Sequence, residues 1–294
     1  MPDWEVIIQV DARKSNLIGI IRKPITVGPE TSITKTREIL LEKKIKRVVV
    51  KDRKNNPIGI ITEKDIAKKI YELGSRSIKS VKAKEFKPRK LYALSRENTV
   101  QDCAKLMKKH RINSIIILHK DKTLEGIVTK TDLMNTILTK DTDNIRVSKL
   151  MKRNLVTAAP SDPILHVEHL LLQYAISRII IKRNQKPIGI ITFRDFVPAK
   201  IPQWIADSAD PSELQQYKTK KGLEETHSNS LSYLFPFHAV DIMTSNPITV
   251  EETDDVKKAI TLMIKNNISG LPVVKKSKLV GIITKSDIVN SLAE

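Results

Sequence analysis

The sequence predicts an α/β (α+β) fold made of four β-α-β-β-α repeats, and three observations carry that reading. Nearly the same seven residues occur four times: Gly59-Ile60-Ile61-Thr62-Glu63-Lys64-Asp65, Gly126-Ile127-Val128-Thr129-Lys130-Thr131-Asp132, Gly189-Ile190-Ile191-Thr192-Phe193-Arg194-Asp195 and Gly281-Ile282-Ile283-Thr284-Lys285-Ser286-Asp287. Their glycines stand 67, 63 and 92 residues apart, and such near-constant spacing marks one supersecondary unit used repeatedly. Ahead of each motif a helical apolar stripe precedes short runs of β-branched residues.

The fourth repeat is the template. Residues 239–243 form a short helical entry, and 246–250, with β-branched residues around Pro247, form an extended segment. Thr253 and Asp254 supply N-cap chemistry. Val256, Ala259, Ile260, Met263 and Ile264 then fall on one face of a helix, and Gly270 follows its end. Residues 271–274 and 279–283 read as strands joined by a turn at 275–278, and Thr284 to Asp287 open a last helix carrying Ile288 and Leu292.

The other copies follow the same order. Val100, Cys103, Ala104 and Met107 make the second stripe, which puts Cys103 in a small core slot. Ile164, Val167 and Leu171 make the third; His166 and His169 on that helix lack a third metal ligand and read as solvent-facing. Ile33 and Leu40 serve the first, with Val48 to Val50 as its strand. Residues 18–75, 81–140, 147–198 and 239–294 are therefore read as the repeats. An insertion at 199–238 holds Trp204, Tyr217, Tyr233, Phe235 and Phe237 beside Lys218, Lys220 and Lys221. A tight link is expected across 141–146. Ile18 to Ile21 echoes the motif weakly and reads as a strand. A unit this short cannot bury both faces of its sheet alone, so the first repeat is expected to pair with the second and the third with the fourth.

Composition narrows the class. The chain has 294 residues, 40% of them hydrophobic, and one cysteine. No run of eighteen uncharged apolar residues occurs, and the start lacks the pattern of a secretory signal, so a cytoplasmic protein without a membrane span is expected. The net charge is +19, and residues 1–150 hold 34 Lys/Arg against 18 Asp/Glu. Such an asymmetry creates a positive field over one half, either a solvated lysine surface or a face for an anionic partner. No P-loop, nucleophile elbow, zinc-protease helix or paired Cys-x-x-Cys appears, which points to a binder and not an enzyme.

Thr-x-x-Asp at a strand-to-helix junction has two readings. It is close to a capping box, in which the Thr hydroxyl caps the helix and the Asp sits in its first turn. The same geometry suits a ribose clamp: the helix N-terminus tolerates anions, the Gly admits close approach, and a carboxylate can accept both hydrogens of a cis-diol. Capping alone would tolerate Ser, Asn or Glu, and four identical Thr/Asp choices exceed that tolerance.

Helix entry, Pro-Ile-Thr-Val, helix, Leu-Pro-Val-Val, strand and Gly-Ile-Ile-Thr-x-x-Asp together resemble the cystathionine-β-synthase (CBS) domain. Four copies resemble two Bateman modules forming a disk, as in the γ subunit of AMP-activated protein kinase and its archaeal relatives. The resemblance implies clefts between paired copies, with ribose held by Thr62/Asp65, Thr129/Asp132, Thr192/Asp195 and Thr284/Asp287. It implies adenine lined by Thr26, Thr157 and Thr249, with Tyr92-Ala93-Leu94 departing from the pattern in the second copy. It further implies phosphate contacts from His110 and Arg111, with Lys43 and Lys44 as basic substitutes in the first copy. Phosphate-rich ligands should then prefer the N-terminal module. Arg47 and Arg178 replace usually small residues and are expected to narrow or recharge two clefts.

The function expected is a regulatory, energy-sensing binder of AMP, ADP or ATP that signals to an unidentified protein partner. S-adenosylmethionine is the less favoured adenosyl ligand, because dense lysines repel its cation. The alternative is a CBS-scaffold protein that binds RNA or the ribosome through residues 1–150. A homodimer is left open.

Overall fold

The computed structural model describes residues 15–66, 69, 81–86, 91–138, 145–196 and 237–293. Four small sheets are built alike. In the first repeat β1 (Thr26–Val27) runs parallel to β2 (Arg47–Lys51), which pairs antiparallel with β3 (Pro57–Thr62), and α1 (Ile33–Glu42) crosses between β1 and β2. The second repeat has β4 (Ala93–Leu94), α2 (Val100–His110), β5 (Ser114–Leu118), β6 (Leu124–Thr129) and α3 (Lys130–Leu138). The third has an entry helix α4 (Val147–Leu150), then β7 (Thr157–Ala158), α5 (Ile164–Gln173), β8 (Arg178–Arg183) and β9 (Lys186–Thr192), ending in a 3-10 turn at Phe193–Phe196. In the fourth, α6 (Ala239–Ile242) and β10 (Thr244–Ser245) precede β11 (Val250–Glu251), α7 (Val256–Lys265), β12 (Gly270–Lys275), β13 (Lys278–Thr284) and α8 (Lys285–Leu292).

The motif glycine has a fixed place in each sheet. Gly59 lies opposite Val50, Gly126 opposite Ile117, Gly189 opposite Ile181 and Gly281 opposite Val273, and the register shifts by a bulge just beyond each pair. The bulge aims the end of the second hairpin strand toward the following helix, where Thr and Asp stand.

The expected pairing is present, made by sheets. Val49, Ile116, Leu124 and Ile127 form a buried cluster joining the sheets of the first and second repeats. In the other pair β9 lies beside β13, and Leu279 N–H donates to the Gln185 carbonyl at 2.7 Å. Helices then close the ring. One hydrophobic core runs without a break from Val100, Met107, Leu133 and Met134 of the second repeat to Val256, Met263, Ile288 and Leu292 of the fourth. Across from it, the Lys64 ammonium of the first repeat lies 4.8 Å from the Phe193 ring centre of the third.

Three local expectations are corrected. Ile18–Ile20 is a 3-10 turn and not a strand, because Ile20 and Ile21 N–H both fold back onto the carbonyl of fully buried Leu17. The N-cap of α7 is Asp255, whose side chain accepts from Lys257 N–H, while Asp254 closes the preceding turn by accepting from Glu251 N–H. Gly270 does not follow a helix end but opens β12. Cys103 is fully buried, and His166 and His169 are exposed. Of the insertion, Phe237 is described and packs against the core of the third repeat. Trp204, Tyr217, Tyr233, Phe235, Lys218, Lys220, Lys221 and the link at 141–144 lie outside the described residues. Among the described residues no helix is long and apolar enough to cross a membrane.

Candidate ligand clefts

In every Thr/Asp pair Asp Oδ2 accepts from both the N–H and the hydroxyl of the Thr, and in the first and fourth repeats the Asp N–H donates back to Thr Oγ1, completing a capping box. In the second repeat Asp132 Oδ2 accepts from Thr129 N–H at 2.8 Å and from its hydroxyl at 2.6 Å. In the fourth, Asp287 Oδ2 accepts the same two bonds from Thr284 at 2.9 and 2.5 Å, and Asp287 N–H returns one to Thr284 Oγ1 at 3.4 Å. Thr62/Asp65 and Thr192/Asp195 repeat the arrangement. The two carboxylate oxygens therefore have different surroundings. Oδ2 takes both bonds from the Thr, which fixes the side chain, and Oδ1 faces a cation, Arg22 Nε at 3.4 Å for Asp132 and Lys152 Nζ at 3.3 Å for Asp287. Asp132 and Asp287 are both 8% exposed, so neither carboxylate lies on an open surface.

At the second, third and fourth motifs, residues of the paired repeat pack over the motif glycine. Residues preceding β1 cross to the second repeat, where Arg22 N–H donates to the Ile127 carbonyl and Ile127 N–H returns the bond to Arg22, at 3.0 and 2.9 Å. Lys152 exchanges the same two bonds with Ile282, both at 2.9 Å. The motif glycines permit this approach. A methyl group at Gly281 would lie 2.8 Å from Met151 Sδ and 2.9 Å from the Lys152 carbonyl. At Gly126 it would collide with Ile21, and at Gly189 with Met243. The threonines expected to line a base follow directly: Thr26 opens β1 and Thr157 opens β7, while Thr249 immediately precedes β11, and all three are half-buried. Beside them Ile25 (41%) and Ile248 (38%) expose apolar side chains that the core leaves uncovered.

The residues expected to contact phosphate lie at the ends of α1 and α2. Lys43 caps the C-terminus of α1, and Lys44 follows with φ 51°. His110 ends α2 and stacks on Tyr92 with ring centres 3.9 Å apart, and Arg111 follows with φ 52°. All four belong to helix C-terminal turns.

A second set of cations, unread as a set from sequence, meets where the four repeats converge. Arg47 donates to the Asn113 carbonyl at 2.7 Å, and Arg178 to Ser269 Oγ at 2.8 Å. Lys130 donates to Ser286 Oγ at 2.8 Å, and Lys285 to Thr131 Oγ1 at 2.7 Å. That exchange is reciprocal, so an approximate two-fold axis passes between the N-termini of α3 and α8. Burial pushes both lysines down to about 8, with Asp287 pulling Lys130 back and Arg47 and Lys152 lowering it further. For Lys285, Arg47 and Arg178 add to the burial effect, and Asp132 opposes it. Burial likewise lowers Arg47 and Arg178 to about 10, countered by Asp132 for the first and Asp287 for the second. Arg178 rests against Gly270, where any Cβ would collide with its guanidinium, and its buried Nη1 has no hydrogen-bond partner. The sequence signal was available in the matching Lys130/Lys285 and Arg47/Arg178 positions, but only the ring brings alternate repeats together.

Four sheets with capped carboxylates facing a paired repeat define a protein of two CBS-domain pairs. The family model described as the CBS domain matches residues 14–72, 83–139, 147–201 and 239–294, and the chain belongs to that family. It is similar to protein MJ1225 of Methanocaldococcus jannaschii, 23% identical over 286 residues that cover 92% of this chain and 96% of the relative. The crystal structure of MJ1225, described there as a candidate archaeal homologue of γ-AMPK, matches with a TM-score of 0.77 at 21% identity, covering 94% of this chain and 99% of the other. A conserved protein from Pyrococcus horikoshii matches with a TM-score of 0.62 at 16% identity, covering 95% and 100%. At these identities the likeness speaks for the fold.

Proposed function

We propose that the chain is a regulatory, non-enzymatic binder of adenine nucleotides in the cytoplasm, taking AMP, ADP or ATP and passing its ligand state to a protein partner. The observation that carries this reading is the divided carboxylate: Thr N–H fixes Oδ2, and Oδ1 faces a largely exposed cation of the paired repeat that a ligand can exchange. That oxygen suits a ribose diol. Exposed Ile25 and Ile248 suit an adenine face, and cations on the axis suit phosphates.

By the crossing seen at Arg22 and Lys152, Asp132 works with Thr26, Asp287 with Thr157, and Asp195 with Thr249. Asp65 is left with the Tyr92 strand, whose ring is already stacked on His110, so that cleft is the weakest. Arg47, Lys130, Arg178 and Lys285 are the favoured phosphate contacts, because they share electrostatics with Asp132 and Asp287; Lys43, Lys44, His110 and Arg111 are secondary. This cation density disfavours the sulfonium of S-adenosylmethionine. A ligand touching both pairs would bias their packing, and only differential affinity for two packings can signal.

Calorimetric titration of the full chain with AMP, ADP, ATP and S-adenosylmethionine tests this. Binding of a nucleotide, weakened roughly tenfold or more in Asp132→Asn/Asp287→Asn by loss of a charged acceptor, is the expected result. Absence of heat with every adenine nucleotide overturns it. A second reading, RNA or ribosome binding, is favoured by the 34 Lys/Arg against 18 Asp/Glu in residues 1–150. It requires RNA affinity that falls steeply with salt.

A further inference from the structure

The outer oxygens of the two buried aspartates are paired, and by corresponding residues. Arg22 Nε donates to Asp132 Oδ1 at 3.4 Å, and Lys152 Nζ stands 3.3 Å from Asp287 Oδ1. The partners differ sharply in exposure: the Arg22 and Lys152 side chains are 62% and 68% exposed, the Asp132 and Asp287 side chains 11% and 5%. The cations occupy matching places. Ile21 and Met151 fill the space over Gly126 and Gly281, and Arg22 and Lys152 are the next residues along, each in a two-bond bridge to the residue after that glycine. Both hold a fixed backbone and a mobile head.

We infer that Arg22 and Lys152 are exchangeable counterions that select phosphorylated over unphosphorylated nucleosides. This deepens the nucleotide reading and rests on it. A ribose diol that takes Oδ1 must displace the cation from it. A neutral nucleoside offers that cation nothing in return, and a buried carboxylate loses a charged partner. A nucleotide carries its own anion on the same sugar, so the head leaves the carboxylate for the phosphate and both charges stay paired. The counterion thus opposes adenosine and favours AMP. The third repeat supplies an internal contrast. Met243 fills the space over Gly189 as Met151 does over Gly281, and the next residue is Thr244, which has no charge. The position matching Arg22 and Lys152 in the third repeat therefore carries no cation.

The test is calorimetry of the full chain with adenosine and with AMP. In the Arg22→Ala/Lys152→Ala double variant, AMP binds more weakly and adenosine at least as tightly, so the preference for AMP falls by roughly tenfold, the scale of one charge-assisted bond. Arg22→Lys/Lys152→Arg keeps the preference, and Thr244→Lys raises it at the third cleft. Both alanine side chains replace mostly solvent-exposed heads and leave the backbone bridges in place, and an unchanged circular dichroism melt verifies the fold. A double variant that binds both ligands with the wild-type preference overturns the counterion role alone. Wild-type protein that binds neither ligand overturns the nucleotide reading beneath it.

Discussion

The cap at Asp287 Oδ2 and the ligand role proposed for Oδ1 are separable by substitution. Thr284→Ala removes the hydroxyl that bonds Oδ2 and costs about 1 kcal/mol of stability through the lost cap, measurable by urea unfolding. Asp287→Asn keeps a cap acceptor but loses the charge at Oδ1, so it reduces ligand affinity more than stability. Lys130 and Lys285 set a pH dependence of known sign. Their folded pKa of about 8 lies below the ordinary lysine value of 10.5, so between those values the unfolded chain binds more protons than the folded one. Stability contributed by these groups therefore rises as pH climbs through that window. Phosphate binding needs the charged form and runs the other way. Nucleotide affinity falls above about pH 8, with proton uptake on binding, and calorimetry in buffers of different ionisation heat reads both. Cys103 is fully buried, and burial raises its thiol to about 12. It stays unmodified by thiol reagents in the native protein and reacts on unfolding.

At the scale of elements, the motif glycines differ in what they allow. Gly281 accommodates Met151 and the Lys152 backbone, while the nearest atoms to a methyl at Gly59 are Val50 side-chain carbons at 3.7 Å. Gly281→Ala thus destabilises by about 1–3 kcal/mol through overpacking. Gly59→Ala is neutral or stabilises by about 0.4–1 kcal/mol by restricting the unfolded chain. Thermal melts of the two variants distinguish these outcomes. The elements themselves were legible in the sequence because their periodicities are local. The apolar stripe of α7 and the Thr/Asp box of α8 are written within a few turns. Ile18 to Ile21 misled because an apolar run with a glycine fits strand and 3-10 turn equally, and only the buried anchor at Leu17 decides. The N-cap of α7 slipped by one residue because Thr253, Asp254 and Asp255 all carry suitable oxygens, and the turn claims Asp254 first.

The whole molecule is a ring, with sheets joining repeats within each pair, helices joining the second repeat to the fourth, and Lys64 over Phe193 linking the first to the third. Because one core spans the second and fourth repeats, a cavity in either weakens both. Ile288→Ala, at a fully buried position, costs about 2–5 kcal/mol. It also raises hydrogen exchange in α2 and α3 as much as in α7 and α8. Exchange confined to the fourth repeat would contradict a shared core. The ring also explains why the axial cations escaped a linear reading. Lys130 and Lys285 are 155 residues apart, and each meets a hydroxyl of the other's repeat only because α3 and α8 abut at their N-termini.

By itself the sequence determined the repeat, its strand and helix order, the capped aspartate and the family, since all of these rest on spacings within about sixty residues. Tertiary structure alone decided which repeat walls which carboxylate, and that Arg47, Lys130, Arg178 and Lys285 converge. Charge placed far apart along a chain becomes a site only when packing removes water and brings unlike segments into contact, and that free energy belongs to the ring and not to any one repeat.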